Sequence, residues 1–454
     1  MNTDPREILA KAPMSTLQIL AVVITIGLNA LDGFDVLSIS YAMPGIYREW
    51  GMKQGALGIV GTMELIGMAL GSLLLGGVAD KIGRRRTTLG CVIVMTIGMF
   101  GATTAKGPFD LSLYRVITGF GIGGVLAAIN AIAAEFSNLK RRNLSVAIMS
   151  IGYPLGGVLG GMVVAQLFKT HSDWRVVFYF GTAVTAAFIP LTLLFVPESV
   201  HWLIRKQPPG ALERINKTMT RMGHQAIAAL PRIAEDVRRK SFSDIFAPAL
   251  LPITVLVSVT YFLHVVTFYF VLKWTPFIVS TVMGFPASSA AGVLVWANVG
   301  GALGGTALGL LSQKLPLKPL TISLLVMGSL GTVLFGNSPA NLQKLSLFVA
   351  ISGFFTNGAI SGMYAIFAKA FPTHVRASGT GVAIGIGRGG SVVAPITAGY
   401  LFQGGISVPT VAMIMACGSM LAAVVLSRLK LGPDQPEHDV VEEAPAPMGQ
   451  PRAA

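Results

Sequence analysis

Twelve apolar segments, each long enough to cross a lipid bilayer, divide this chain of 454 residues. A spanning helix needs about 20 predominantly apolar residues, because every backbone polar group must be satisfied within the hydrocarbon core. Charged residues make up 12% of the chain, compared with about 25% in soluble domains. The sequence therefore predicts an all-α integral membrane protein with 12 transmembrane helices, at residues 17–43, 57–79, 87–105, 109–135, 143–168, 175–196, 250–279, 288–312, 317–335, 343–371, 376–402 and 408–429.

The distribution of basic residues predicts the orientation of these spans. With the N-terminus in the cytoplasm, 25 of the 34 Lys and Arg residues fall in inner segments and 6 in outer loops, and 3 lie within spans. Positive charge concentrates on the cytoplasmic side of a membrane, so both termini are predicted to be cytoplasmic. The net charge of +14 is then explained by topology, and no nucleic-acid partner is predicted. The first span is expected to act as an uncleaved insertion signal.

The spans form two sets of six with a long polar segment between them. Two six-helix halves joined by an inner connection are typical of duplicated transporters. The tail is rich in Pro, Glu and Ala without apolar periodicity, which predicts disorder. The expected divisions are a cytoplasmic N-terminus (1–16), an N-terminal six-helix bundle (17–196), a cytoplasmic connecting loop (197–249), a C-terminal six-helix bundle (250–429) and a disordered cytoplasmic tail (430–454).

Two carboxylates, Asp32 and Asp35, interrupt the first predicted span. Each costs at least about 2.5–3.5 kcal/mol near the centre of a bilayer, so both must face a polar interior. Arg115 in the fourth span lies at a depth similar to that of Asp35, and a pair between the two would compensate both charges. Glu64 in the second span is a further member of this predicted outer cluster. The alternative is a static, structural ion pair.

Other polar and aromatic residues within spans are candidates for binding a ligand. Arg388 lies about twelve residues into the eleventh span, roughly 18 Å along the axis. There it could bind a substrate carboxylate with two hydrogen bonds, or it could instead donate to backbone carbonyls. Lys273 lies close enough to an outer end to extend towards the headgroups. His264 could bond a phenol or a carboxylate, or simply pack. The aromatic candidates, each of which could also be ordinary core, are Tyr153, Tyr261, Tyr269, Trp296, Phe354 and Tyr364.

Residues 76–86 read G-G-V-A-D-K-I-G-R-R-R and connect the second and third spans. Every position matches the signature loop of the major facilitator superfamily, G-x-x-x-D-[RK]-x-G-R-[RK]-[RK], which this segment resembles. A tight glycine turn followed by an acid that pairs with arginine would hold one conformation of the two halves. The predicted latch comprises Gly76, Asp80, Lys81, Gly83, Arg84, Arg85 and Arg86, with Glu135 as a structural partner for nearby basic residues.

Further motifs narrow the resemblance, which covers about residues 15–430. Residues 115–123 are similar to the superfamily pattern R-x-x-x-G-x-G-x-G, and residues 32–35 resemble the D-G-x-D motif of its aromatic acid:proton symporters. Residues 197–203 resemble the P-E-S-x-x-W-L sequence of that family, and residues 371–388 its tenth-to-eleventh-span region. One departure is Gln313, which stands where the second half could carry an acidic latch residue.

The resemblance implies a major facilitator superfamily fold and, as its function, proton-coupled import of aromatic carboxylates by alternating access. Asp32, Asp35, Glu64 and Arg115 would couple protons, and the substrate would bind between the halves. A monomer in the inner membrane of a bacterium is implied, with protons as the coupling ion, no cofactor and no enzymatic activity. The alternatives are import of another organic anion or a sugar, drug/proton antiport, which a partial G-P-x-x-G-G motif at residues 152–157 favours, and a receptor without flux.

Overall fold

The computed structural model describes residues 4–75, 77–231, 245–248, 250–372 and 375–429. All regular structure in these ranges is helical, and twelve helices are long and apolar enough to span a membrane, as predicted. The first six are α2 (Thr16–Trp50), α3 (Gln54–Leu75), α5 (Arg84–Thr104), α6 (Pro108–Glu135), α7 (Arg142–Thr170) and α8 (Val176–Phe195). The second six are α11 (Leu251–Phe277), α12 (Ala287–Leu311), α13 (Leu317–Gly336), α14 (Leu342–Ala370), α15 (Arg376–Gln403) and α16 (Val408–Arg428).

Short helices lie at the end of the bundle where α2 begins and α16 ends, which we call the inner end because the basic residues predict that it faces the cytoplasm. They are α1 (Pro5–Lys11), α4 (Val78–Ile82), α9 (Val200–Lys206) and α10 (Ala211–Arg221). The predicted disordered tail, 430–454, and Gly76 of the predicted latch lie outside the described residues.

The first membrane helix, α2, is longer than its predicted span of 17–43. A capping box between Ser15 and Gln18 starts it, and Gly51, with φ 56°, ends it after Trp50. The last turns of α2 are too polar to form part of an apolar segment, but their backbone hydrogen bonds continue the helix. Nearly every residue from Leu28 to Pro44 is buried, so α2 lies inside the bundle.

The helix contacts repeat between the two halves of the chain. In each half the first helix packs on the fifth, the second on the fourth and the third on the sixth. Small residues permit the close approaches: a Cβ on Gly119 would lie 1.9 Å from the Glu64 carbonyl oxygen, and one on Gly304 would lie 1.9 Å from that of Phe354. This repetition is typical of transporters built from two parallel repeats.

The halves meet along α2, α3 and α7 on one side and α11, α12 and α15 on the other. We call the contact between the halves at the end opposite the inner end the outer seam. There the Gly55 amide donates to Gln403 Oε1 at 3.2 Å, and Arg48 Nη2 lies 3.4 Å from Ser280 Oγ. Nearer the middle, a Cβ on Gly58 would meet the Pro395 carbonyl oxygen at 2.4 Å. The outer seam is therefore closed in this structure.

Candidate functional site

A buried charge cluster forms where α2, α3 and α6 meet. Arg115 on α6 is fully buried and forms an ion pair with Glu64 of α3. Its Nη2 also donates to the backbone oxygen of Asp35 on α2 at 2.8 Å, and its guanidinium lies over the Phe178 ring, 5.4 Å from the centroid. Arg115 is thus compensated by a carboxylate and by a carbonyl of a neighbouring helix.

The side-chain pair expected between Asp35 and Arg115 is absent. Asp35 contributes its backbone carbonyl, and Glu64 contributes the carboxylate. The reason is the close approach of α3 to α6 at Gly119, which lies one helical turn beyond Arg115 and contacts the Glu64 backbone. That contact places the Glu64 side chain beside the guanidinium. The structure places Glu64 in this cluster, beside Arg115.

The Asp35 side chain is fully buried, and both of its carboxyl oxygens lack a hydrogen-bond donor among the described residues. Glu64, Arg115 and Asp32 are the charges that act on it. An ionised carboxylate without a donor is costly to bury, whereas the neutral acid costs far less. Asp35 therefore differs from Glu64, whose carboxylate is paired with the Arg115 guanidinium.

A second cluster, which we call the central cluster, occupies the middle of the interface between the halves. Arg388 on α15 donates from Nη1 to Ser72 Oγ on α3 at 3.1 Å, and the charges of Arg388 and Glu64 both act on Asp32. Tyr153 and Tyr269, from opposite halves, interact with each other. These side chains bring one cation, one carboxylate and phenolic hydroxyl groups to mid-membrane.

The central cluster extends into the C-terminal half through two more tyrosines. The hydroxyl groups of Tyr261 and Tyr364 are 2.7 Å apart, and the Arg388 charge acts on both Tyr261 and Tyr269. Arg388, Tyr153 and Tyr269 keep partial exposure although they lie deep between the two halves. This partial exposure distinguishes the central cluster from the fully buried residues around Arg115.

Four predicted ligand-binding residues lie outside the central cluster. Both ring nitrogens of His264 form hydrogen bonds within the C-terminal half, with Ser419 Oγ at 2.8 Å and with the Thr356 carbonyl oxygen at 2.9 Å. His264 therefore has a structural role in the core of this half. Trp296 is half exposed on α12, and Phe354 packs edge to face with Phe355, with centroids 5.1 Å apart. Neither ring has a described aromatic contact with the central tyrosines.

Lys273, the fourth, is fully buried, so it does not extend to the headgroups. Its Nζ donates instead to the backbone oxygen of Val36, across the interface between the halves.

Two polar residues at the interface were not predicted. Ser72 is the hydrogen-bonding partner of Arg388, and nothing in its glycine-rich surroundings distinguishes it from other serines in spans. Asn298 on α12 is buried, and its Oδ1 would lie 2.6 Å from a Cβ placed on Gly157 of α7. A buried amide in an apolar span was the available signal for Asn298.

At the inner end, the predicted latch residues form a network. Asp80 Oδ1 accepts from Arg84 Nη1 at 2.9 Å and from Arg205 Nη2 at 3.1 Å, and Arg84 Nη2 pairs with Glu135 at 3.2 Å. The Asp80 backbone oxygen accepts from Trp202 Nε1 at 3.0 Å. The network therefore joins the 76–86 loop to the sequence that follows the sixth span, within the N-terminal half.

A glutamate outside the predicted latch caps α5. Glu198 Oε1 accepts from the backbone amides of Arg84 at 2.8 Å and Arg85 at 3.2 Å. A carboxylate at this helix N-terminus satisfies unpaired amides and interacts favourably with the helix dipole. Lys81 and Arg86 are exposed, whereas Arg84 is buried within the network.

His201, near the same network, is half-buried, and this burial lowers its pKa despite the neighbouring Glu135 carboxylate. The Arg142, Arg6 and Asp4 charges also act on it. Burial therefore disfavours the charged imidazolium at the inner end.

Replacing Gly83 with alanine is expected to break the helix cap. Gly83 has φ 108°, and a Cβ there would lie 2.2 Å from Glu198 Oε2. Backbone strain of this kind costs about 1–3 kcal/mol, before any loss of the cap. The apparent Tm of the detergent-solubilised variant should fall clearly. Gly77→Ala is the matched control, because its φ of −82° and open surroundings accept a methyl group. Equal Tm values for the two variants would contradict this account.

A pocket of about 430 Å³ opens at the outer end, apart from the central cluster. Arg175 clamps both oxygens of Glu49 at 2.8 Å and lies over the Trp174 ring, 4.3 Å from its centroid. The Glu49 carboxylate is the largest cause that raises the pKa of Arg175. These charges compensate each other, so the pocket has no excess charge that would select an anion or a cation.

Comparison with known proteins gives several relatives that are named as aromatic acid transporters. The chain is 26% identical to a gallate transporter of Pseudomonas putida, over 93% of this chain and 94% of the relative. It is 28% identical to the 3-(3-hydroxy-phenyl)propionate transporter of Escherichia coli, over 89% and 93%. A 4-hydroxybenzoate transporter, PcaK, of Acinetobacter baylyi is 26% identical, over 86% of each chain.

Solved structures share the fold at lower identity. The inward-open xylose transporter XylE from E. coli superposes with a TM-score of 0.68 at 18% identity, over 93% of this chain and 98% of that one. The nucleoside transporter NupG gives a TM-score of 0.70 at 17% identity, over 91% and 99%. The family profile described as Major Facilitator Superfamily matches residues 25–349 and 298–452. The chain therefore belongs to the major facilitator superfamily, a family of membrane transporters rather than enzymes.

Proposed function

We propose that this protein is a proton-coupled symporter that imports aromatic carboxylates across the cytoplasmic membrane of a bacterium. The observation that carries the proposal is Arg388, a partly exposed guanidinium at mid-membrane, bordered by tyrosines from both halves. A guanidinium binds a carboxylate with two parallel hydrogen bonds, and tyrosine rings pack against an aromatic ring by edge-to-face contact. Relatives named for gallate, hydroxybenzoate and hydroxyphenylpropionate transport support an aromatic acid as cargo.

Asp32 gives this site a route to proton coupling. When ionised, its carboxylate competes with the substrate carboxylate for Arg388, whose charge acts on it. Proton binding removes that competition and frees the guanidinium for the substrate. Asp35, buried without a donor, is the second proton-binding group, and Glu64 keeps Arg115 compensated throughout. The proton and the anion therefore favour each other's binding.

Transport would follow by rocking of the halves about the central cluster. The outer seam is closed in this structure, and the network of Asp80, Arg84, Glu135 and Glu198 lies within one half. In the outward-facing conformation the outer seam opens and the inner ends approach, which brings that network towards the partner half as a latch. Both termini are cytoplasmic in this proposal, and a single chain supplies every residue of the site.

The direct test is uptake into proteoliposomes of labelled 4-hydroxybenzoate, protocatechuate and vanillate, with and without an inward proton gradient. We expect accumulation of at least one acid, stimulated by the gradient. A folded protein that accumulates none of them would overturn the aromatic-acid proposal. Competition by hexoses or aliphatic acids identifies the alternative cargo classes, and drug sensitivity of cells that lack the protein tests export.

A further inference from the structure

Lys273 is a fully buried amine that the mechanism above does not use. It lies on α11 in the C-terminal half, and its hydrogen bond to the Val36 carbonyl crosses to α2 in the N-terminal half. Buried ammonium groups are normally paired with carboxylates, because a carbonyl dipole compensates only part of a full charge. Lys273 therefore depends on charges beyond its immediate partner.

Those charges belong to the cluster around Arg115. Glu64 and Arg115 both act on Lys273, and Arg115 donates to the carbonyl of Asp35, the residue directly before Val36. Four ionisable groups, from α2, α3, α6 and α11, thus share one buried region. With Asp35 ionised, two carboxylates balance two cations, and the neighbouring Asp32 and Arg388, one anion and one cation, add no net charge. With Asp35 protonated and no substrate bound, the cluster carries one excess positive charge.

We propose that Lys273 is a positioning residue that lets the outer seam close only when the site is charge-balanced, and so prevents protons from crossing without substrate. The empty, deprotonated carrier is balanced and closes. A proton alone leaves Lys273 uncompensated, which weakens its contact across the seam and keeps the carrier open to the outside. One substrate anion at Arg388 balances one bound proton, whether Asp35 or Asp32 holds it, and the loaded carrier closes. This inference rests on the proposed function, in which Asp35 carries a transported proton.

Substrate-free proton entry is the decisive readout. Proteoliposomes with a trapped pH-sensitive dye are given an inward proton gradient without any aromatic acid. Wild-type protein should leak slowly, whereas Lys273→Gln should leak at least about tenfold faster, which is the effect of one unit charge about 12 Å away at an effective dielectric constant of about 20. Lys273→Arg keeps the charge and should restore tight coupling. Lys344→Gln, which removes an exposed lysine at the outer end, should behave as wild type.

A second measurement needs no substrate, and its wild-type arm needs no substitution of Lys273. Spin labels on the exposed positions Lys53 and Gly404 report the outer seam, because the neighbouring Gly55 and Gln403 form the hydrogen bond that closes it. The exposed Cys417 is replaced first. In wild-type protein without substrate, the label distance should be short at high pH and lengthen at low pH. In Lys273→Gln this pH response should disappear.

The outcomes separate this inference from the proposed function. If wild-type protein accumulates no aromatic acid, the proposed function fails, while both readouts here still apply. The inference is overturned if Lys273→Gln is folded and leaks no faster than wild type, or if Lys273→Arg leaks equally fast. If Lys273→Gln does not fold, the wild-type label distances decide, and a distance that does not change with pH overturns the inference.

Discussion

Replacing Arg388 with glutamine should abolish binding of the aromatic carboxylate while the protein stays folded. Arg388 is the cation of the central cluster, and its Nη1 bond to Ser72 shows that the guanidinium reaches the opposite half. Removing one partner of a desolvated, hydrogen-bonded charge pair costs about 2–5 kcal/mol, which weakens binding on the order of 30-fold to several thousand-fold. Substrate binding by calorimetry and exchange in proteoliposomes both measure this loss.

Arg388→Lys separates charge from geometry. Lysine keeps the positive charge but not the planar pair of donors, so it should recover only part of the affinity. Arg376→Gln is the matched control, because it removes an exposed arginine from the inner end of the same helix. Unchanged binding in Arg388→Gln would show that the carboxylate is held elsewhere and would remove the main support for the proposed site.

The fold could be predicted from the sequence because its determinants are local. Twelve apolar segments of spanning length and the bias of basic residues predict the helices and their orientation without knowledge of any contact. The latch loop was equally predictable as a motif, since Asp80 and Arg84 are one helical turn apart and pair directly. The role of Glu198, which lies 114 residues from Arg84, was not evident because the cap forms between distant segments.

The partners of buried charges could not be predicted in the same way. The similar depths of Asp35 and Arg115 predict a pair between them, but the close approach of α3 at Gly119 places Glu64 beside the guanidinium instead. Likewise, the aromatic candidates were chosen for their position in spans, and only helix rotation decides that Tyr153 and Tyr269 face the interface while Trp296 is half exposed. Helix rotation and close approach depend on tertiary packing, which a single apolar span does not encode.

Asp35→Asn should uncouple transport from the proton gradient without abolishing substrate binding. Asparagine resembles the protonated acid in size and charge, and the Asp35 side chain has no described donor that the substitution would disrupt. Wild-type uptake should rise as the external pH falls, because protonation precedes substrate binding. The variant should exchange labelled for unlabelled substrate at equal pH on both sides, but an inward proton gradient should no longer raise its accumulation ratio.

Glu64→Gln gives the contrast that makes the Asp35 result interpretable. Glu64 is the carboxylate partner of the fully buried Arg115, and breaking such a pair from one side costs about 3–5 kcal/mol because the remaining charge is uncompensated. That variant should lose thermal stability, whereas Asp35→Asn should not, since it leaves the Asp35 carbonyl bond to Arg115 intact. If Asp35→Asn kept gradient-driven accumulation with the wild-type pH dependence, Asp35 would not carry the coupled proton, and Asp32 beside Arg388 would be the remaining acid of the first span able to do so.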